Sequence, residues 1–121
     1  MNCRKLLPLS ALCLLSLQAM AQMPVVQTKY TADPAPMVYN DTVYLYTTHD
    51  EDDADGFKML DWLLYTSTDM VNWTDHGVVA SLKDFAWRKR DNGAWAEHVV
   101  ERGGKFYMYC PLHGNGIGVL V

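Results

Sequence analysis

Apolar and polar positions alternate with period two along most of the chain, the repeat of half-buried strands rather than of helices. Met37 and Tyr39, then Val43 and Leu45, fall on alternate positions on either side of a turn at Tyr39-Asn40-Asp41. Asn and Asp tolerate unusual backbone angles, so Asn40-Asp41 predicts a tight hairpin. MLDWLLYTST (59–68) reads as a third strand, with a spacing that also allows a short helix. TDMVNWTDHG (68–77) reads as a polar turn holding one buried aromatic, Trp73, and VVASL (78–82) as a fourth strand. After a charged connector, KDFAWRKRDNG (83–93), come the strand AWAEHVVE (94–101), an RGG turn, the strand KFYMYCP (105–111), the turn LHGNG and the strand IGVLV.

The second half repeats the first faintly. Tyr44-Leu45-Tyr46 and Tyr107-Met108-Tyr109 stand 63 residues apart, each in an aromatic strand after a tight turn. The same offset sets Asp33 against Ala96. Four short strands, a connector and the same opening again form the pattern of a β-propeller blade. A β-sandwich is the competing all-β reading on pattern alone. A single blade leaves apolar faces open and needs neighbours. Two blades alone are therefore expected to aggregate. The closing GNGIGVLV stops within an apolar run, which reads as a truncated chain or gene fragment.

The first 21 residues change the count that matters. Arg4 and Lys5, the apolar run LLPLSALCLLSL and Ala19-Met20-Ala21 make the three parts of a secretory signal peptide, with cleavage expected after Ala21. The expected location is exported, periplasmic or secreted, with no membrane association after cleavage. The apolar run is shorter than the roughly 20 residues of a membrane span. Loss of Arg4 and Lys5 takes the formal charge from −4 to −6, which argues against nucleic acid as a partner. Of three cysteines, Cys3 and Cys13 leave with the signal, so Cys110 remains without an internal disulfide partner.

Candidate chemistry centres on Asp33, held between Ala32 and Pro34 at the head of an apolar strand. Pro34 is expected to hold Asp33 in extended geometry. The residue reads as a strand cap or, if it faces a central pocket, as a general base acting on water. The acidic loop DEDDADG (50–56) fails as a calcium loop, because setting Gly56 sixth puts Trp62 twelfth where a bidentate Glu belongs. His49, His98 and His113 lack zinc-ligand spacing, so no metal site is expected. Trp62, Trp73, Trp87 and Trp95 read first as core. Trp95 is the best candidate for a sugar-stacking platform, since it precedes Glu97 and His98 on a strand that opens like the one after Asp33. The candidate substrate-binding set is Trp95, His49, Asp50, Glu97 and His98.

DPAPMVYNDTVYLYTTHDED, then DW, YTSTDMVNWTDHG and AWAEHVVERGGKFYMY together resemble the N-terminal part of glycoside hydrolase family 43. The ordered elements are the Asp-Pro opening, the turn formed by Ser67, Asp69 and Trp73, and a Trp-Ala segment leading to Gly-Lys-Phe-Tyr. The resemblance implies a five-bladed β-propeller of which this chain supplies about the first two blades. It implies inverting hydrolysis of arabinose- or xylose-containing glycans, of arabinofuranosidase or β-xylosidase type. Asp33 matches the general base. The general acid and a second Asp belong to later blades, so neither Glu97 nor Glu101 is assigned to those roles and the chain alone is expected to be inactive. No cofactor is evident; a calcium ion in the channel of the complete propeller is compatible with the resemblance. The implied partner is a plant-type pentose polysaccharide or oligosaccharide. The family often continues Trp-Ala with Pro, where this chain has Glu97. A non-catalytic carbohydrate-binding propeller is the alternative function.

Overall fold

The computed structural model describes residues 24–121; the signal peptide expected over residues 1–21 lies outside the described residues. The described residues form seven strands: β1 (Tyr30–Tyr39), β2 (Thr42–Asp50), β3 (Met59–Ser67), β4 (Thr74–Ser81), β5 (His98–Arg102), β6 (Lys105–Leu112) and β7 (Gly116–Leu120). They build two antiparallel sheets, one in the order β1-β2-β3-β4 and one in the order β5-β6-β7. A 3₁₀ turn, Leu82–Asp84, follows β4 and closes with a capping box between Ser81 and Asp84.

The alternating pattern located these strands because each sheet buries one side. Along β3 the buried positions include Met59, Trp62, Leu63, Tyr65 and Ser67, more than strict alternation would give, because β3 is internal to its sheet. That burial decides against the short helix. The Asn40-Asp41 hairpin forms as expected, with both residues at positive φ (47° and 56°). Its counterpart is Gly103-Gly104, and the flanking pairs Tyr39↔Thr42 and Arg102↔Lys105 keep the 63-residue offset.

Three boundaries differ from the sequence reading. β4 begins at Thr74, inside the stretch read as a turn, because the turn is completed within four residues by Asp69. Asp69 Oδ1 accepts from the amides of Val71 (2.9 Å) and Asn72 (2.8 Å), and Oδ2 from Asn72 Nδ2 (2.8 Å). Ser67 Oγ accepts from the amides of Asp69 and Met70, and Trp73 Nε1 donates to Met70 O. Trp73 is half-buried, not core. Secondly, β5 begins only at His98; before it, Ala94 makes one isolated bridge to Leu112. The reason is that Gly93 N and Ala94 N both donate to Met59 O of the other sheet (2.9 and 3.0 Å), which draws this segment away from a strand path. Thirdly, Leu82 belongs to the 3₁₀ turn rather than the fourth strand.

The core lies between the sheets. Met59, Trp62, Ala80, Leu82 and Phe85 from the first half meet Ala94, Val99, Met108, Cys110 and Leu112 from the second. Trp62 is fully buried and its Nε1 donates to Trp95 O at 2.8 Å, a polar tie across the core. Gly118 leaves room for Phe85: a Cβ there would stand 2.2 Å from Phe85 Cε1. Trp87, by contrast with the core reading, is 48% exposed and makes an edge contact with the core ring of Phe85.

Candidate active site

The site begins with an irregularity in β1. Ala32 pairs with Thr48 and Ala35 with Tyr46, so Asp33 and Pro34 together oppose Thr47. Two residues against one make a β-bulge, a device that turns a side chain out of the regular pleat. Asp33 adopts φ of 51°, the left-handed region, which corrects the expectation of extended geometry. The clash with the Pro34 ring disfavours the right-handed helical region. Asp is among the few residue types that enter the left-handed region at modest cost, and the bulge demands it. Pro34 fits here because a bulge residue has no ladder hydrogen bond to donate.

Asp33 is exposed, and Thr48 on β2 supplies its one hydrogen-bond partner among the described residues. Thr48 is fully buried and its Oγ1 donates to Asp33 Oδ2 at 3.3 Å. A buried hydroxyl thus anchors one carboxylate oxygen. Thr48 was not singled out in the sequence; the signal that would find it is the cross-strand register, which sequence spacing does not fix across a bulge.

Glu97 closes the site from the second sheet. It stands directly ahead of β5, and β5 packs beside β1. It is 4% exposed, and neither carboxylate oxygen has a hydrogen-bond partner among the described residues. Its pKa is pushed up to about 7, chiefly by burial. The charge of Asp33 adds to the rise; the residue's own backbone amide, short of hydrogen-bond geometry, offsets part of it. Two carboxyl groups in different environments, one exposed and one buried, are thus electrostatically coupled between β1 and the start of β5.

The other candidates fall elsewhere. The Trp95 indole faces a cavity of about 240 Å³ lined by Phe57, Arg90, Asn92, Gly93 and His113, which neither Asp33 nor Glu97 lines. Trp95 Nε1 donates to His113 Nδ1 (3.2 Å), and its ring packs tilted on Phe57 with centroids 5.1 Å apart. Asn92 fixes the wall of this cavity: its side chain accepts from Met59 N and donates to Phe57 O, both at 2.8 Å. His49 pairs with Asp61 (2.9 Å) and stands 3.9 Å from Glu51, so its partners are these acids rather than Asp33. His49, Glu51 and Asp61 are also the one cluster of three metal-ligand types among the described residues. The Asp61 hydrogen bond occupies His49 Nδ1. Asp50 is half-buried at the end of β2, and His98 is exposed opposite Tyr109.

Residues 21–121 match the profile of Glycosyl hydrolases family 43, and the chain belongs to that family. It is 39% identical over 110 residues to a xylosidase/arabinosidase of Bacteroides ovatus, covering 80% of this chain and 33% of the relative. It is 32% identical to xylosidase/arabinosidase 43A of Humicola insolens, covering 73% of this chain and 29% of that one. Among solved structures, the GH43_1 enzyme from Xanthomonas citri complexed with xylose superposes with a TM-score of 0.71 at 31% identity, over 93% of this chain and 34% of that one. The same enzyme has also been solved with xylotriose. The chain spans about a third of the length of these relatives.

Proposed function

We propose that this chain is the N-terminal part of an exported inverting glycosidase that cleaves arabinose- or xylose-containing glycans, with Asp33 as its general base. The observation that carries the reading is the Asp33 bulge: a carboxylate set out of the strand pleat, exposed, and anchored by the buried Thr48 hydroxyl. Inversion needs a base that stays ionised and holds a water on the face of the sugar opposite the leaving group. Its partner acid must stand roughly 6.5–9.5 Å away to leave room for that water. In this reading that acid comes from sequence beyond residue 121, as does the rest of a five-bladed propeller whose first two blades are the two sheets.

Relatives of arabinosidase and xylosidase type and the xylose-bound neighbour support a pentose substrate. The apolar groove on the first sheet, lined by Pro34, Pro36, Val43, Leu45 and Trp73, suits the packing of a further blade. Residues 1–21 supply the export signal.

The test is Asp33→Asn in the full-length protein, assayed on an aryl arabinofuranoside and an aryl xyloside. Turnover should fall on the order of 10²–10⁴-fold, the typical contribution of a general base, with xylose binding retained. Turnover within a few fold of the native protein would remove Asp33 from the role of base.

A further inference from the structure

Glu97 differs from every other buried polar group among the described residues. Thr47 and Tyr65 also hold unpartnered buried hydroxyls, but a neutral hydroxyl costs far less to bury than a carboxylate. Two groups couple electrostatically to Glu97. From β1 comes Asp33, and from β6 comes the buried thiol of Cys110. The thiol is pushed up to about 12, by burial first and then by the charges of Glu97 and Asp84, so it stays neutral. Among the described residues no lysine, arginine or histidine pairs with Glu97. An ionised, buried Glu97 would therefore feel the charge of the exposed Asp33 carboxylate, with no cation paired to Glu97 among the described residues. Two such acids cannot both be charged at low cost, and the buried one keeps the proton.

Asp33 is poorly defended against that repulsion. Its single anchor among the described residues is a long hydrogen bond of 3.3 Å from Thr48, on a residue already at positive φ. We propose that Glu97 is a positioning residue for Asp33: a neutral carboxylic acid set between the two sheets, whose ionisation repels the Asp33 carboxylate from its Thr48 anchor. The proton leaves Glu97 to solvent and no other bond changes. The inference rests on the reading of Asp33 as base for its effect on turnover, but the coupling of the two acids is independent of that reading.

Two measurements on the full-length protein test it. The first is the pH dependence of kcat/KM on an aryl pentoside for the native protein and Glu97→Gln. In the native protein kcat/KM should fall about tenfold per pH unit above the Glu97 transition, and Glu97→Gln should move that limb to higher pH. A native profile flat from pH 7 to 8.5, or a Glu97→Gln profile that falls at the same pH, would overturn the proposal. The second is a carbon NMR titration of the Glu97 carboxyl in the native protein and in Asp33→Asn. Removal of the Asp33 charge should lower the Glu97 midpoint, and an unmoved midpoint would overturn the proposal. The titration needs no turnover, so a protein without pentosidase activity would defeat the assigned function while the acid pair is still decided.

Discussion

Glu97→Gln should change how stability depends on pH, and the size of the change follows from the burial of one group. In the folded chain the Glu97 carboxyl rises from 4.5 to about 7, chiefly through burial. Between those values the folded state holds a proton that the unfolded state has released. Stability contributed by the neutral acid is therefore complete below about pH 4.5 and lost progressively until the pH passes 7. Each pH unit in that window is worth about 1.4 kcal/mol, so the full loss is about 3 kcal/mol. Glutamine fills nearly the same volume and does not titrate, so the variant escapes this loss. Urea unfolding at pH 5, 6, 7 and 8 measures it as the difference between native and variant, in which the titration of other groups largely cancels. The difference should shift in favour of the variant by about 2.5 kcal/mol between pH 5 and 8, since part of the loss precedes pH 5. Native and variant curves that stay parallel within about 0.5 kcal/mol would show that Glu97 is solvated or paired, and the argument from burial would fail.

Other outcomes follow from single contacts. Gly118→Ala would press a methyl group into the buried Phe85 ring, and overpacking of this kind costs about 1–3 kcal/mol; a thermal midpoint equal to the native one would show that Phe85 has room to move. Asp69→Ala should lower the thermal midpoint more than Asp69→Asn, which retains an acceptor for the amides of Val71 and Asn72. Those hydrogen bonds hold the Asp69 carboxyl well below the usual carboxylate range, so the stability it contributes is present at neutral pH and lost as the medium becomes strongly acidic; an Asp69→Ala protein with the native acid-unfolding profile would contradict this. Trp95→Ala should weaken sugar binding through loss of the indole face in the Phe57–His113 cavity, and unchanged inhibition by xylose would place Trp95 in a structural role.

Relatives solved with sugars and the two-sheet fold bear on the same question from different sides. The sequence relationship gives the family, while the proposed role of Asp33 depends on local geometry: which oxygen is anchored, and which is open. A short polar residue in the left-handed region at a bulge is a local cost that regular strand packing gives no reason to bear. Its position next to a buried second acid is the physical ground for reading the end of β1 as functional rather than as a strand cap.

The sequence by itself located the strands in order, though not the starts of β4 and β5, together with the Asn40-Asp41 hairpin, the Gly103-Gly104 turn and the 63-residue offset between the sheets. These rest on local chemistry: alternation marks a half-buried face, and Asn40-Asp41 and Gly103-Gly104 supply the positive φ that a two-residue hairpin requires. It also brought Asp33, Trp95 and Glu97 to notice by residue type and order. Only the tertiary structure decided their company. The bulge turned Asp33 to Thr48, a partner hidden from spacing because an extra residue shifts the register of everything before it. Packing of the second sheet buried Glu97 without a partner beside Asp33, while Trp95 went to a separate cavity and His49 to Asp61. Burial and cross-sheet contact are properties of distant segments brought together, and no local pattern in the chain encodes which of two neighbouring residues, Glu97 or His98, faces the core once Met59 has drawn the preceding backbone off the strand path.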